Sequence, residues 1–193
     1  MPIKRPLSNQ PLPKAARRVF KGVLFDVYQW QQKMYDGSKK TFEKIQRADT
    51  VTILPVTKEG KIVIGKQTQP GTKSFYSSFG GILEKGEDPL ICAKRELMEE
   101  TGMVAEKFIL WESVQIIEKI DWAIYIFIAK NCKTISKQNL DNGEKINLLY
   151  LNFEQFLKII KREDYRDSEI ALKIFRFMHD KKKLKQFKQL LFS

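Results

Sequence analysis

No apolar run in these 193 residues approaches the length of about 20 that a bilayer-spanning helix needs, so no membrane partner is expected. The basic opening, MPIKRPLSNQPLPKAARR, has no hydrophobic stretch behind it and does not read as a secretory signal. The cytoplasm is therefore the expected location. Cysteine is scarce. Cys92 and Cys132 stand far apart and match no metal-binding or redox spacing, so both read as packing residues in a reducing compartment. Acidic residues are outnumbered, 23 against 35 Lys and Arg, for a formal net charge of +12. Much of that excess lies at the ends, at Lys4, Arg5, Lys14, Arg17, Arg18 and Lys21, then at Lys181, Lys182, Lys183, Lys185 and Lys188. Terminal basic runs are ordinarily solvated surface, and no groove-reading motif accompanies them. Nucleic acid is thus not expected as the main partner; the positive charge is equally compatible with an anionic ligand.

With 42% apolar and 30% charged residues, the chain can bury a core without disulfide staples, as one domain with appendages. Residues 1–18, with Pro2, Pro6, Pro11 and Pro13, read as an extended basic arm. Residues 19–48 read as a strand pair, VFKGVLFDVYQWQQ (19–32) and a return through TFEKI, joined at the turn dipeptide Asp36-Gly37. Further strands are expected at 51–56, 61–67, 75–83, 103–117, 122–129 and 146–151, with a long polar loop over 130–145. Helices are expected at 89–101, 153–160 and 167–178, with residues 181–193 left as a basic tail. Strands outnumber helices and do not alternate with them, and no internal repeat is visible. That pattern favours a mixed sheet in an α+β or sandwich arrangement.

The helix at 89–101 is punctuated at both ends. Asp88 suits the N-cap, Pro89 the first helical position and Gly102 the position past the end. On a helical wheel Leu90, Ala93 and Leu97 form an apolar stripe, extended by Ile91 and Met98. Glu96, Glu99 and Glu100 are expected to converge on the opposite side. Arg95 stands four residues before Glu99 and can pair with it. A solvated face is the plain reading of such a cluster. The alternative is a hard divalent cation held by oxygen alone, Mg²⁺ or Mn²⁺, because neither His nor Cys belongs to the group.

Gly81, Glu87 and the run Arg95-Glu96-Leu97-Met98-Glu99-Glu100-Thr101-Gly102-Met103 resemble the Nudix box without a gap. Seven such positions matching by chance is on the order of one in a billion per start point at ordinary residue frequencies. The resemblance implies an α+β fold, an α/β/α sandwich with a mixed sheet between helices. It implies an enzyme that hydrolyses a nucleoside diphosphate linked to another moiety, with Mg²⁺ as cofactor and Mn²⁺ as a substitute. Carried over to these positions, Glu96 and Glu100 would be the principal metal ligands and Glu99 would share that role. A backbone carbonyl of Gly80 or Gly81 would add an oxygen, and Arg95 would orient the carboxylates. Glu87, Gly81 and Gly102 would be structural.

Over residues 20–180 the chain is most similar to the branch that hydrolyses ADP-ribose and nucleotide sugars, so residues 49–180 would form the hydrolase domain. YQWQQKMYDG (28–37) and TFEKIQRADTVTILPV (41–56) resemble that branch's N-terminal strands, which often swap across a homodimer. The resemblance makes Trp30, then Tyr28, the candidates to stack on the base; packing within the sheet or dimer is the alternative. Arg47 is a candidate phosphate contact, and Gly81 would lie beside the substrate. In the loop before INLLYL, Glu144 is the candidate general base and Asp141 the next. One departure is visible. Where the branch commonly places a substrate-gripping arginine, this chain has Gln67, Thr68 and Gln69. That bears on the substrate more than on the reaction. A nucleoside triphosphate or RNA 5′-end pyrophosphohydrolase, and a catalytically silent nucleotide-binding module, are the remaining alternatives.

Overall fold

The computed structural model describes residues 3–193, so Met1 and Pro2 of the expected arm lie outside the described residues. In chain order the elements begin with β1 (Arg17–Lys21), β2 (Asp26–Lys33), β3 (Lys39–Gln46), β4 (Thr50–Thr57), β5 (Ile62–Thr68) and β6 (Phe75–Ser77). Then come α1 (Pro89–Thr101), β7 (Met103–Val104), β8 (Lys107–Val114), β9 (Ile120–Asp121), β10 (Ile124–Thr134) and β11 (Lys145–Leu151). Three helices close the chain: α2 (Phe153–Ile159), α3 (Ser168–Met178) and α4 (Lys181–Phe192).

The fold is α+β, built on mixed sheets. One sheet runs β1-β2-β3-β9 and the other β11-β5-β4-β10-β7, with β6 on β5 and β8 on β10. β4 and β10 lie parallel at its centre, Ile53 beside Phe127, and most other pairings are antiparallel. β10 explains the layering, because successive side chains of a strand point to opposite faces. Ile124, Ile126 and Ile128 join a core with Phe156, Ile170, Ile174, Phe187 and Leu191 of the region α2 to α4. Tyr125, Phe127 and Ala129 join a second core with Cys92, Ala93 and Leu97 of α1. Both faces of the sheet are therefore covered, which is the sandwich.

Five expectations need correction. The strand expected at 75–83 stops at Ser77, and Phe79 and Ile82 form only isolated bridges to Ile53 and Thr50 of β4. The run 19–32 is two strands, because Gly22 N donates to Phe25 O at 2.9 Å and closes a turn between β1 and β2. The run 103–117 breaks between β7 and β8, where Glu106 N turns to Lys130 O. β10 continues to Thr134 because its far end pairs with β7, so the polar loop starts only after it. Residues 181–193 are not a tail. Asp180 caps α4 by accepting from Lys182 N and Lys183 N, and Phe187 and Leu191 are buried at 2% and 0% exposure. Phe187 stacks on Trp111 with ring centroids 4.9 Å apart.

The N-terminal arm is strapped down rather than free. Arg5 pairs with Asp49 at 2.7 Å and Asp121 at 3.0 Å. The buried Lys44 Nζ donates to Ser8 Oγ and to Gln10 O.

Candidate active site

The acidic helix begins and ends where its punctuation indicates. The Asp88 side chain accepts from Leu90 N, Pro89 follows, and Gly102 adopts φ 67°, ψ 14°, a left-handed conformation that favours glycine. Gly102 N then closes the helix on Met98 O at 2.8 Å. Upstream, Val51 N donates to Gly81 O and Ile53 N to Phe79 O, which lays residues 79–81 beside β4. Gly81 is a close approach: a Cβ there would overlap the Glu96 carboxylate. The strand-side segment and the helix are thus pressed together at their polar residues.

The wheel reading of the three glutamates is corrected. Ile91 is 60% exposed and Cys92 takes its place in the core. Glu100 stands on the same stripe as Ala93 and Leu97, at i, i+4 and i+7, and is only 5% exposed. Glu96 and Glu99 are both bound by Arg95 Nη1, at 2.7 Å and 3.1 Å. Arg95 Nη2 also reaches Glu87 at 3.1 Å, which holds the Glu87 carboxyl below its ordinary range. Glu100 Oε2 instead accepts from Gly80 N at 2.6 Å.

Among the described residues no group of three or more metal-ligating side chains stands gathered around one point. The donor chemistry nevertheless fits a hard divalent cation. The set is oxygen-only, and no ion pair to Glu100 forms among the described residues. Burial pushes its carboxyl well above the usual range, opposed by the Gly80 N–H and reinforced by the charges of Glu144, Glu96 and Asp167. Glu96 is raised as well, first by burial. A divalent cation would compensate the buried charge of Glu100, which Arg95 does not reach.

A cleft of about 290 Å³ opens beside Gly80 and Gly81. It brings together Arg47, Gly80, Gly81, Glu100 and Glu144, from four distant points of the sequence. Burial and Asp141 raise the Glu144 carboxyl, opposed by the Asp141 backbone. Trp30 and Tyr28 do not line the cleft of this chain. Trp30 is 7% exposed, packs against Phe42 at 5.9 Å and donates its Nε1–H to Gln32. Gln67 and Gln69, which stand where the sequence lacks the expected arginine, line the cleft, and so do Arg166, Asp167 and Ser78, which sequence reasoning missed. Arg166 and Asp167 stand just before α3, in RDSEIALKIF, whose apolar spacing announces only a packed helix.

A model of the NUDIX domain matches residues 46–171. The chain is 30% identical over 166 residues to an ADP-ribose pyrophosphatase of Bacillus subtilis (strain 168), covering 83% of this chain and 88% of that relative. It is 29% identical over 160 residues to a methanol dehydrogenase activator of Bacillus methanolicus, covering 81% and 86%. It is 29% identical over 156 residues to a GDP-mannose pyrophosphatase of Escherichia coli (strain K12), covering 72% and 81%. The crystal structure of an ADP compounds hydrolase superposes with a TM-score of 0.70 at 18% identity, covering 93% of this chain and 99% of that one, which supports the fold. The NUDIX match spans more than half the chain and contains the whole acidic helix with the cleft beside it: this protein belongs to the Nudix family.

Proposed function

We propose that the protein hydrolyses the diphosphate bond of ADP-ribose or a related nucleoside diphosphate sugar, giving a nucleoside monophosphate and a sugar phosphate. One observation carries the reading: Glu100, a buried carboxylate that forms no ion pair among the described residues, faces the same cleft as two arginines. The similar ADP-ribose and GDP-mannose pyrophosphatases support the substrate class.

Glu96, Glu99 and Glu100 would hold Mg²⁺, with Mn²⁺ able to replace it. The ion supplies the positive charge that a diphosphate needs before water can attack it. Arg95 positions Glu96 and Glu99 through its shared Nη1. A carboxylate oxygen of Glu144 accepts the proton of the attacking water, since its raised basicity suits a general base. Arg47 offers its guanidinium to phosphate. The cytoplasm is the proposed location, supported by Cys92 and Cys132, which are buried, unpaired and pushed up to about 12 by burial. A homodimer is also part of the reading, supported by the apolar side chains that β1 and its turn leave exposed, Val19, Phe20, Leu24 and Phe25. In such a dimer Trp30 and Tyr28 would serve as packing or base-stacking residues. Incubation with Mg²⁺ and a panel of diphosphate sugars and triphosphates, with product identification, tests the activity. Release of pyrophosphate from triphosphates with diphosphate sugars untouched would contradict it.

A further inference from the structure

The segment before α3 runs beside β6. Tyr76 N donates to Asp164 O at 2.8 Å and Arg166 N donates to Tyr76 O at 2.9 Å, with Tyr76 and Tyr165 in a parallel bridge. The next residue, Asp167, accepts from Ser78 N at 2.5 Å. The backbone of Arg166 is therefore held on both sides. Its guanidinium lies over the Phe75 ring, with Cζ 3.5 Å from the centroid. A guanidinium stacked through its face keeps its N–H donors directed outward in its own plane, the geometry that matches phosphate oxygens.

Arg5, Arg18, Arg95 and Arg162 each meet a carboxylate at 3.1 Å or less. Neither arginine lining the cleft does so among the described residues. Arg47 rests over Trp122 at 4.7 Å with its Nε buried and without a hydrogen-bond partner. Arg166 stands on Phe75, and Phe75 pairs with Gln67 across the β5–β6 ladder. Its charge is thereby delivered to the end of β5, where Gln67 and Gln69 face the cleft without one.

We propose that Arg166 grips a phosphate oxygen of the substrate and is a specificity-determining contact of this cleft, on the basis of the diphosphate reading above. Phe75 sets its plane, and Arg47 is its counterpart from the end of β3. A purely structural anchor for β6 would show in stability and leave substrate affinity alone.

Steady-state hydrolysis of ADP-ribose with Mg²⁺, in wild type, Arg166→Ala and Arg166→Lys, separates the two, with thermal melts alongside. Arg166→Ala is expected to raise KM about ten- to a hundredfold, the scale of one charge-assisted hydrogen bond, while kcat stays within about threefold. Arg166→Lys should recover part of the loss. An unchanged KM in Arg166→Ala would overturn the proposal while the diphosphate reading stands, as would a lowered melting temperature with KM unmoved. If the wild type turns over no diphosphate sugar, the reading itself falls, and calorimetric titration of ADP into the metal-free full chain decides for Arg166. Binding weakened about tenfold or more in Arg166→Ala would uphold the contact. Equal affinity, or no binding to the wild type, would overturn it.

Discussion

Glu100 is the residue on which the proposed site turns. Its neighbours on the helix, Ala93 and Leu97, drag it toward the core, and among the described residues its carboxylate is bonded by the Gly80 amide alone. A buried carboxylate so placed is a strain on folding and an asset only when a cation arrives. Glu100→Gln keeps the shape and removes the charge. Its melting temperature without metal should equal or exceed the wild type's, while hydrolysis should fall by about a hundredfold or more. A destabilised Gln variant with full turnover would show that Glu100 is structural. The box marks this residue as a candidate metal ligand, but its burial was missed. Reading the glutamates as one exposed face overlooked that i, i+4 and i+7 positions share a stripe, and only packing decides which stripe goes inward. Arg166 was illegible for another reason: one arginine before a helix has no local signature, and its place at the cleft is set by Phe75, some ninety residues earlier.

Among the elements, α1 was legible to the residue because its stop signals are chemical: a capping aspartate, a proline with φ already set, and a left-handed glycine. The β1–β2 turn was not, because Gly-Val-Leu-Phe is apolar and continues the strand pattern on both sides. α4 hid for the opposite reason. Its lysines dominate the composition, yet Phe187 and Leu191 are spaced four apart and bury completely. α3 carries its own pH dependence. Burial and the charge of Asp167 raise Glu169 to about 7, in a groove also lined by Glu112, Lys173, Arg176 and Lys183. Its folded value exceeds its unfolded one, so the stability it contributes is present below the ordinary carboxylate range and lost as pH rises through about 7. Melting curves of Glu169→Gln should therefore match the wild type near pH 4 and lie above it near pH 8. An offset of the same size at both pH values would contradict this.

For the whole molecule, the sandwich was legible from strand count and the box, while the cleft was legible only in part: Arg47, Gly80, Gly81, Glu100 and Glu144 were candidates, but the segments near residues 78 and 166 that complete it were not. Only the fold brings these together. No helix among the described residues is long and apolar enough to cross a membrane. The last helix belongs to the core, covering Trp111 and Phe153. Truncation after Asp180 removes Phe187 and Leu191, worth about 1.5–3 kcal/mol each in burial alone, and should lower the denaturation midpoint accordingly. An unchanged midpoint would return residues 181–193 to the status of a tail.

The most direct test of the central claim is ³¹P NMR of ADP-ribose incubated with Mg²⁺ and either wild type or Glu100→Gln. The diphosphate resonances should give way to two phosphomonoester signals, AMP and ribose 5-phosphate, with the wild type alone. Persistence of the diphosphate with wild type, across ADP-ribose and the other nucleoside diphosphate sugars, would contradict the account.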